Sequence, residues 1–176
     1  MKIRKKILQN RIQLNDKRKK TAVTCVAAVL LSLLYILIFS LSAQDAETSG
    51  SLSYQISEKC VEIVDQITKE DWNADFRAEL AKHFEHPIRK LAHFLEYTCM
   101  GILIYAIWSP WMRRNWKFYL LIIVWVLVSA SADELHQTFV QGRYGSIFDV
   151  ALDSCGGCFG VFLSNIFLAF SKDSSS

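Results

Sequence analysis

The chain has 176 residues, 52% of them apolar, with seven glycines, two prolines and a formal charge of +3 at pH 7. Length alone would allow one soluble domain, but this composition argues for a small membrane protein instead. The small net charge conceals opposed patches. The basic one lies beside an apolar anchor, where it reads as topology and attraction to anionic lipid rather than as nucleic-acid binding.

Residues 1–20 hold nine basic side chains, including Arg4, Arg11 and the run from Lys17 to Lys20. They form a basic tail before the first apolar run, Thr21 to Leu41. Small residues follow that run (Ser40, Ser42, Ala43), as at a signal-peptide cleavage site. Its length exceeds the roughly 7 to 15 residues of a signal h-region, so we read it as an uncleaved anchor. Three more apolar runs follow: Leu91 to Trp108, Phe118 to Ala132, and Ile147 to Phe170. About 20 helical residues cross a bilayer core, so with a few polar flanking residues the runs predict spans at about 21–41, 88–108, 117–134 and 147–170.

Between the first two spans, residues 42–88 carry ten acids against four bases. Basic flanks stay on the cytoplasmic side. The tail, the Arg113, Arg114 and Lys117 of the SPWMRRNWK loop, and Lys172 therefore belong together, which predicts cytoplasmic termini and an external acidic segment in a multi-pass protein of the cell membrane. That segment starts polar (SAQDAETSGSLSYQ) and then turns helical in pattern over about residues 53–86. Ile56, Cys60, Ile63, Val64 and Ile67, then Phe76, Leu80 and Phe84, recur at steps of three and four. An amphipathic helix or helix pair there could lie on the membrane or pack as an ordinary helix with a solvated face. His86-Pro87 predicts the start of the second span, because proline suits a first helical turn. Gly142-Arg143 predicts a tight reversal before the fourth span, with Ser146 as its N-cap. The expected fold is all-α, a four-transmembrane-helix bundle with an external amphipathic segment between helices one and two.

Five cysteines at scattered positions do not form a disulfide framework. Cys155-Gly-Gly-Cys158 has redox spacing but lacks the soluble strand-to-helix setting of such motifs; Gly156 and Gly160 at GxxxG spacing favour a helix contact.

Ionisable residues gather where the external span ends meet. The second span offers Arg89, Lys90, His93, Glu96 and Tyr97, with Arg89, His93 and Glu96 on one face. The third ends in Asp133, Glu134, His136 and Gln137; the fourth carries Asp149 and Asp153 on one stripe, and Arg143 lies in the loop between them. A rise of 1.5 Å per residue puts Asp153 roughly 9 to 10 Å inside the fourth helix. An acid at that depth costs about 2.5 to 3.5 kcal/mol, so it should face the bundle interior and have partners. Three readings stay open. Asp149, Asp153 and one or both of Asp133 and Glu134 could hold a divalent cation through oxygen ligands. His93 or His136 could move a proton while Arg89, Lys90 and Arg143 hold a phosphate or other anionic head group. Or the charges could form a structural ion-pair clamp.

RKLAHFLEYTCMG (89–101) and DELHQTFVQGRYGSIFDVALDSCGGCFG (133–160), preceded by the FSLSAQ and SGSLSYQIS stretches after the first span, resemble the VanZ family of bacterial membrane proteins. The resemblance runs from the first span to the end of the last, about residues 21–172, and leaves out the basic tail. The positions it carries over are Lys90, His93, Glu96, Tyr97, Asp133, Glu134, Gln137, Arg143, Asp149, Asp153 and Gly157. It implies an association with decreased susceptibility to teicoplanin, a lipoglycopeptide acting at the envelope surface, and supplies no reaction. Whether the chain is an enzyme stays open.

From residues and resemblance together, His93, Glu96, Asp133, Glu134, Asp149 and Asp153 are the candidate catalytic set. Arg89, Lys90, Tyr97, His136, Gln137 and Arg143 are the candidate binding set. The expected partners are membrane lipids, with an anionic head group or lipid-linked envelope precursor as ligand. The alternative is a non-catalytic protein whose cluster clamps the helices or sequesters a ligand. The cysteine pair and the long acidic segment are not credited with family function.

Overall fold

The computed structural model describes residues 2–173 as five helices: α1 (Lys2–Ser42), α2 (Ala46–Thr68), α3 (Ala74–Trp108), α4 (Trp116–Gln137) and α5 (Ile147–Asp173). The side chains of Lys2, Lys5, Lys6 and Lys172, counted above among the basic flanks, lie outside the described residues. There is no strand among the described residues.

Four helices are long and apolar enough to cross a membrane: Arg11–Ser42, Ala74–Trp108, Trp116–Gln137 and Ile147–Phe170. Only 17% to 33% of each apolar window is buried by the protein itself. The remaining apolar surface, such as Leu33, Ile36, Val128, Phe162 and Phe167, points outward and requires lipid as its solvent. The chain is therefore a multi-pass membrane protein.

Cap residues set the helix ends. Asp45, Asn73 and Asn115 each accept the backbone N–H three residues ahead, from Thr48, Phe76 and Phe118, and so satisfy donors that the first turn leaves open. Lys69 ends α2 in the left-handed region at φ 58°. Asp65 then closes the α2–α3 turn by accepting from Trp72 N–H at 3.1 Å and facing Arg77 at 3.8 Å.

Helix α3 is the central element. Its lower half meets α5 through glycines: a Cβ on Gly156 would strike the Phe94 carbonyl, one on Gly160 the Thr98 carbonyl, and one on Gly101 the Gly157 carbonyl. Backbones this close are the use of small residues in membrane helix pairs, as the GxxxG spacing anticipated. Thr98 Oγ1 donates to the Gly156 carbonyl across the seam at 3.1 Å. Tyr97, Met100, Ile104, Phe118, Ile122 and Val126 fill the centre between α3 and α4.

Two expectations change. Helix α3 does not begin at Pro87 but runs through it from Ala74. Proline removes the N–H that would donate to the His83 carbonyl. Packing on α2 holds the preceding turns, where Ser57 Oγ donates to the Ala81 carbonyl at 2.7 Å. The polar stretch after α1 is also already helical, from Ala46 onward. Helix α2 buries Ser49, Ser53, Ser57, Val61 and Asp65, every fourth residue, against α3, while Ile56, Ile63, Val64 and Ile67 face outward. The stripe of small residues, and not the apolar stripe, makes the protein contact.

Candidate functional site

The α1–α2, α3–Pro87 and α4–α5 junctions meet at one end of the bundle, opposite the 109–115 loop. Between them lies a cavity of about 240 Å³. Its wall includes Ala46, His86, Arg89, Lys90, His93, Glu134, Gln137, Arg143, Asp149 and Asp153. Of the twelve candidate residues, eight line it; Asp133, Glu96, Tyr97 and His136 do not.

The mouth is basic. Lys90 Nζ pairs with Asp149, both side chains being about one-third exposed. Arg89 reaches His86 Nδ1 at 3.0 Å and lies 3.9 Å from Glu85. Arg143 donates to Gln137 Oε1 at 3.1 Å. Partial burial, with Arg89 nearby acting the same way, pushes the Arg143 guanidinium below its ordinary value. It stays charged nonetheless. Two neighbouring cations half withdrawn from water favour an anion beside them. The loop that carries Arg143 turns at Gly142, whose φ of +76° suits glycine, with Arg143 N–H donating to the Val140 carbonyl at 3.2 Å.

The floor is acidic and buried. Glu134 Oε1 accepts the Ser146 N–H at 2.6 Å and so ties the end of α4 to the start of α5. Asp133, one residue earlier, faces inward, where Oδ2 accepts from Ser42 Oγ and Gln137 Nε2, both at 3.0 Å. Asp153 is 2% exposed, and its Oδ1 has no hydrogen-bond partner among the described residues. His93 Nδ1 stands 3.5 Å from Glu96 Oε2, and neither atom has a hydrogen bond of good geometry. Glu96 itself borders a second, smaller cavity against Leu41, Ser49 and Ser53.

Of the acids expected to hold a cation, Asp133 and Asp153 come together among the described residues. Asp149 is held outward by Lys90 and Glu134 by the Ser146 amide, whereas His93, Asp133 and Asp153 converge. His136 lies apart, on another face of α4. Its ring stacks on Phe39 at 4.3 Å beside a lipid-facing α1–α4 groove of about 930 Å³ that Tyr97 and Asp133 also border.

Sequence reasoning missed Ser42, fully buried and a donor to Asp133. It had entered only as a small residue after an apolar run, although a hydroxyl ending a span is also a donor at the level of the acids. It also missed His86, treated as a partner of Pro87, and Ala46, which seats α2 at the lip.

Residues 27–168 match the sequence model of a family described as VanZ/LLP1. No curated protein and no solved structure matches the chain.

Proposed function

The chain belongs to the VanZ/LLP1 family, and from that premise we propose that the cavity end lies at the outer leaflet of the cell membrane and receives the anionic head group of an envelope lipid or lipid-linked precursor. The basic flanks support the orientation. Trp111 Nε1 donates to Thr24 Oγ1 at 2.7 Å, so the loop bearing Arg113 and Arg114 sits beside the basic stretch of α1, at the end opposite the cavity. Arg89, Lys90 and Arg143 offer a phosphate fixed donors at the mouth. His93, with the carboxylates below, is the group placed to move a proton on a bound head group. Retention of such a lipid, or its modification, would lower susceptibility to teicoplanin by changing what the drug meets at the surface.

One observation carries this reading against the clamp: Asp153 is buried on the cavity floor with an oxygen that nothing in the described residues satisfies. A clamp built for stability would satisfy its own charges. The test is binding of fluorescent anionic and zwitterionic lipids to protein in nanodiscs, together with teicoplanin susceptibility of bacteria expressing each variant. The double variant R89Q/R143Q should lower anionic-lipid affinity at least tenfold and abolish protection, with zwitterionic lipid unaffected. Equal affinity for both lipids, or unchanged anionic binding in that variant, overturns the reading. Asp153→Asn separates two versions of it: lost protection with intact binding means chemistry, and joint loss means sequestration.

A further inference from the structure

Below the basic mouth, side chains of the floor converge in a way that the phosphate contacts of Arg89, Lys90 and Arg143 do not explain. One ligand atom from each of His93, Asp133 and Asp153 lies within 4.8 Å of the others. The three residues come from α3, α4 and α5, and the glycine-mediated crossing of α3 and α5 fixes their depth. No described lysine or arginine forms an ion pair with Asp133 or Asp153. Lys90 is committed to Asp149, Arg143 donates to Gln137, and Asp153 Oδ1 faces no donor. Two buried carboxylates without a cation are expensive, and a dication neutralises both.

We propose that this floor binds a divalent transition-metal ion, Zn2+ in chemical class, through His93, Asp133 and Asp153. An imidazole among the donors disfavours Mg2+ and Ca2+, which prefer all-oxygen shells. Bonds of about 2.0–2.2 Å in a four-coordinate site put ligand atoms roughly 3.4 Å apart, so small side-chain rotations from the present separations complete the site. His93 Nδ1 faces Glu96 Oε2 at 3.5 Å without a hydrogen bond of good geometry, and a small rotation that closes this contact leaves Nε2 for the ion. Both hydrogen bonds to Asp133 fall on Oδ2, which leaves Oδ1 as its ligand atom. Glu96, Ser42 and Gln137 thus stand where supporting partners of metal ligands stand, orienting the imidazole and the carboxylate. Three protein ligands keep a coordination position open, and His93 and Asp153 line the cavity, so that position faces an incoming head group.

The proposal rests on the head-group reading only for what fills the open position; metal binding is measured with the metal alone. Protein purified without a polyhistidine tag and stripped with chelator is titrated with Zn2+ by calorimetry and with Co2+ by visible absorption. One ion per chain is expected, with a thermal midpoint that rises with free Zn2+ and a Co2+ spectrum of nitrogen and oxygen ligation. His93→Gln and Asp153→Asn should each weaken Zn2+ binding by about 100-fold or more, beyond the 10- to 100-fold typical of losing a supporting partner. Asp149→Asn should change it less than about threefold. The proposal is overturned by three results: no stoichiometric Zn2+, a thiolate-to-cobalt charge-transfer band that assigns the ion to cysteines, or equal sensitivity to Asp149→Asn and Asp153→Asn. Should both ligand variants fail to fold, the wild-type stoichiometry and Co2+ spectrum still decide. Zn2+ binding without lipid binding would refute the head-group reading and leave this one standing; the reverse result would do the opposite.

Discussion

Asp149 and Asp153 lie one turn apart on the same stripe of α5, yet their surroundings are opposite. Asp149 is at the mouth, about one-third exposed, and paired with Lys90. Asp153 is on the floor, 2% exposed, with an oxygen lacking any donor among the described residues. One helical turn, about 5.4 Å, separates a carboxylate whose pairing is nearly neutral in energy from one whose burial must be offset by something the protein does not itself supply. On the proposed reading, the outer charges meet the head group of a ligand and the inner carboxyl is where the proposed ion sits.

Breaking the frame that sets this depth difference should have the largest effect. A branched side chain at Gly160 would meet the Thr98 carbonyl and force α3 and α5 apart. Gly160→Val is expected to cost about 3 kcal/mol or more, read from unfolding in detergent, and to erase the Lys90–Asp149 and floor contacts together. Retention of wild-type stability would mean that the helices do not cross there. Next come changes at the floor. In metal-free protein, Asp153→Asn should raise stability by about 1 kcal/mol, because an unsatisfied acid becomes a neutral amide. Ser42→Ala should lower it by about 1.5 kcal/mol, since Asp133 loses a donor. Destabilisation by Asp153→Asn would show that Asp153 has a protein partner after all. At the mouth, Asp149→Asn should cost less than 1 kcal/mol, roughly the worth of a partly exposed ion pair.

The sequence made the four spans and the meeting of charged span ends legible, because both follow from composition along the chain and from helical spacing. It placed Arg143, Gln137, Asp149 and Asp153 around one space. It could not tell which carboxylate faces which neighbour. Asp133 and Glu134 are adjacent, and their division of labour depends on Ser42 and on the Ser146 amide, contacts 91 and 12 residues apart along the chain. His136 and Gln137 are adjacent too, and about 100° of helical rotation puts one in the lipid-facing groove and the other in the cavity. The behaviour of α2 was hidden for a different reason. Apolar periodicity identifies a helix but not what covers it, and here a stripe of serines packs on α3 while the apolar residues look outward. Pro87 misled in the same way: a good first-turn residue by local rules was carried inside a helix by tertiary contacts.

The smallest effect lies at the lip, where Asp45 caps α2 and fixes how that helix enters the mouth. The Thr48 backbone N–H, 2.7 Å from its carboxylate, holds Asp45 below its ordinary value; the Thr48 side chain adds to this, as does more distant Arg143. A carboxyl depressed in the folded state contributes stability that is present above its unfolded pKa and is lost as pH falls through the folded one. Protonation therefore loosens α2 only in acid, below the ordinary carboxylate range near 3.8. Hydrogen exchange should speed up at Glu47 to Ser49 as pH falls below the ordinary carboxylate value of 3.8, after correction for intrinsic rates, and Asp45→Asn, which keeps an acceptor, should flatten that dependence. The floor gives the contrast. Exchange around Asp153 should not follow the same profile, since no backbone donor there waits on the charge of Asp45. If both regions loosened in step, mouth and floor would be one cooperative unit, and the separation between the two aspartates of α5 would be one of depth alone.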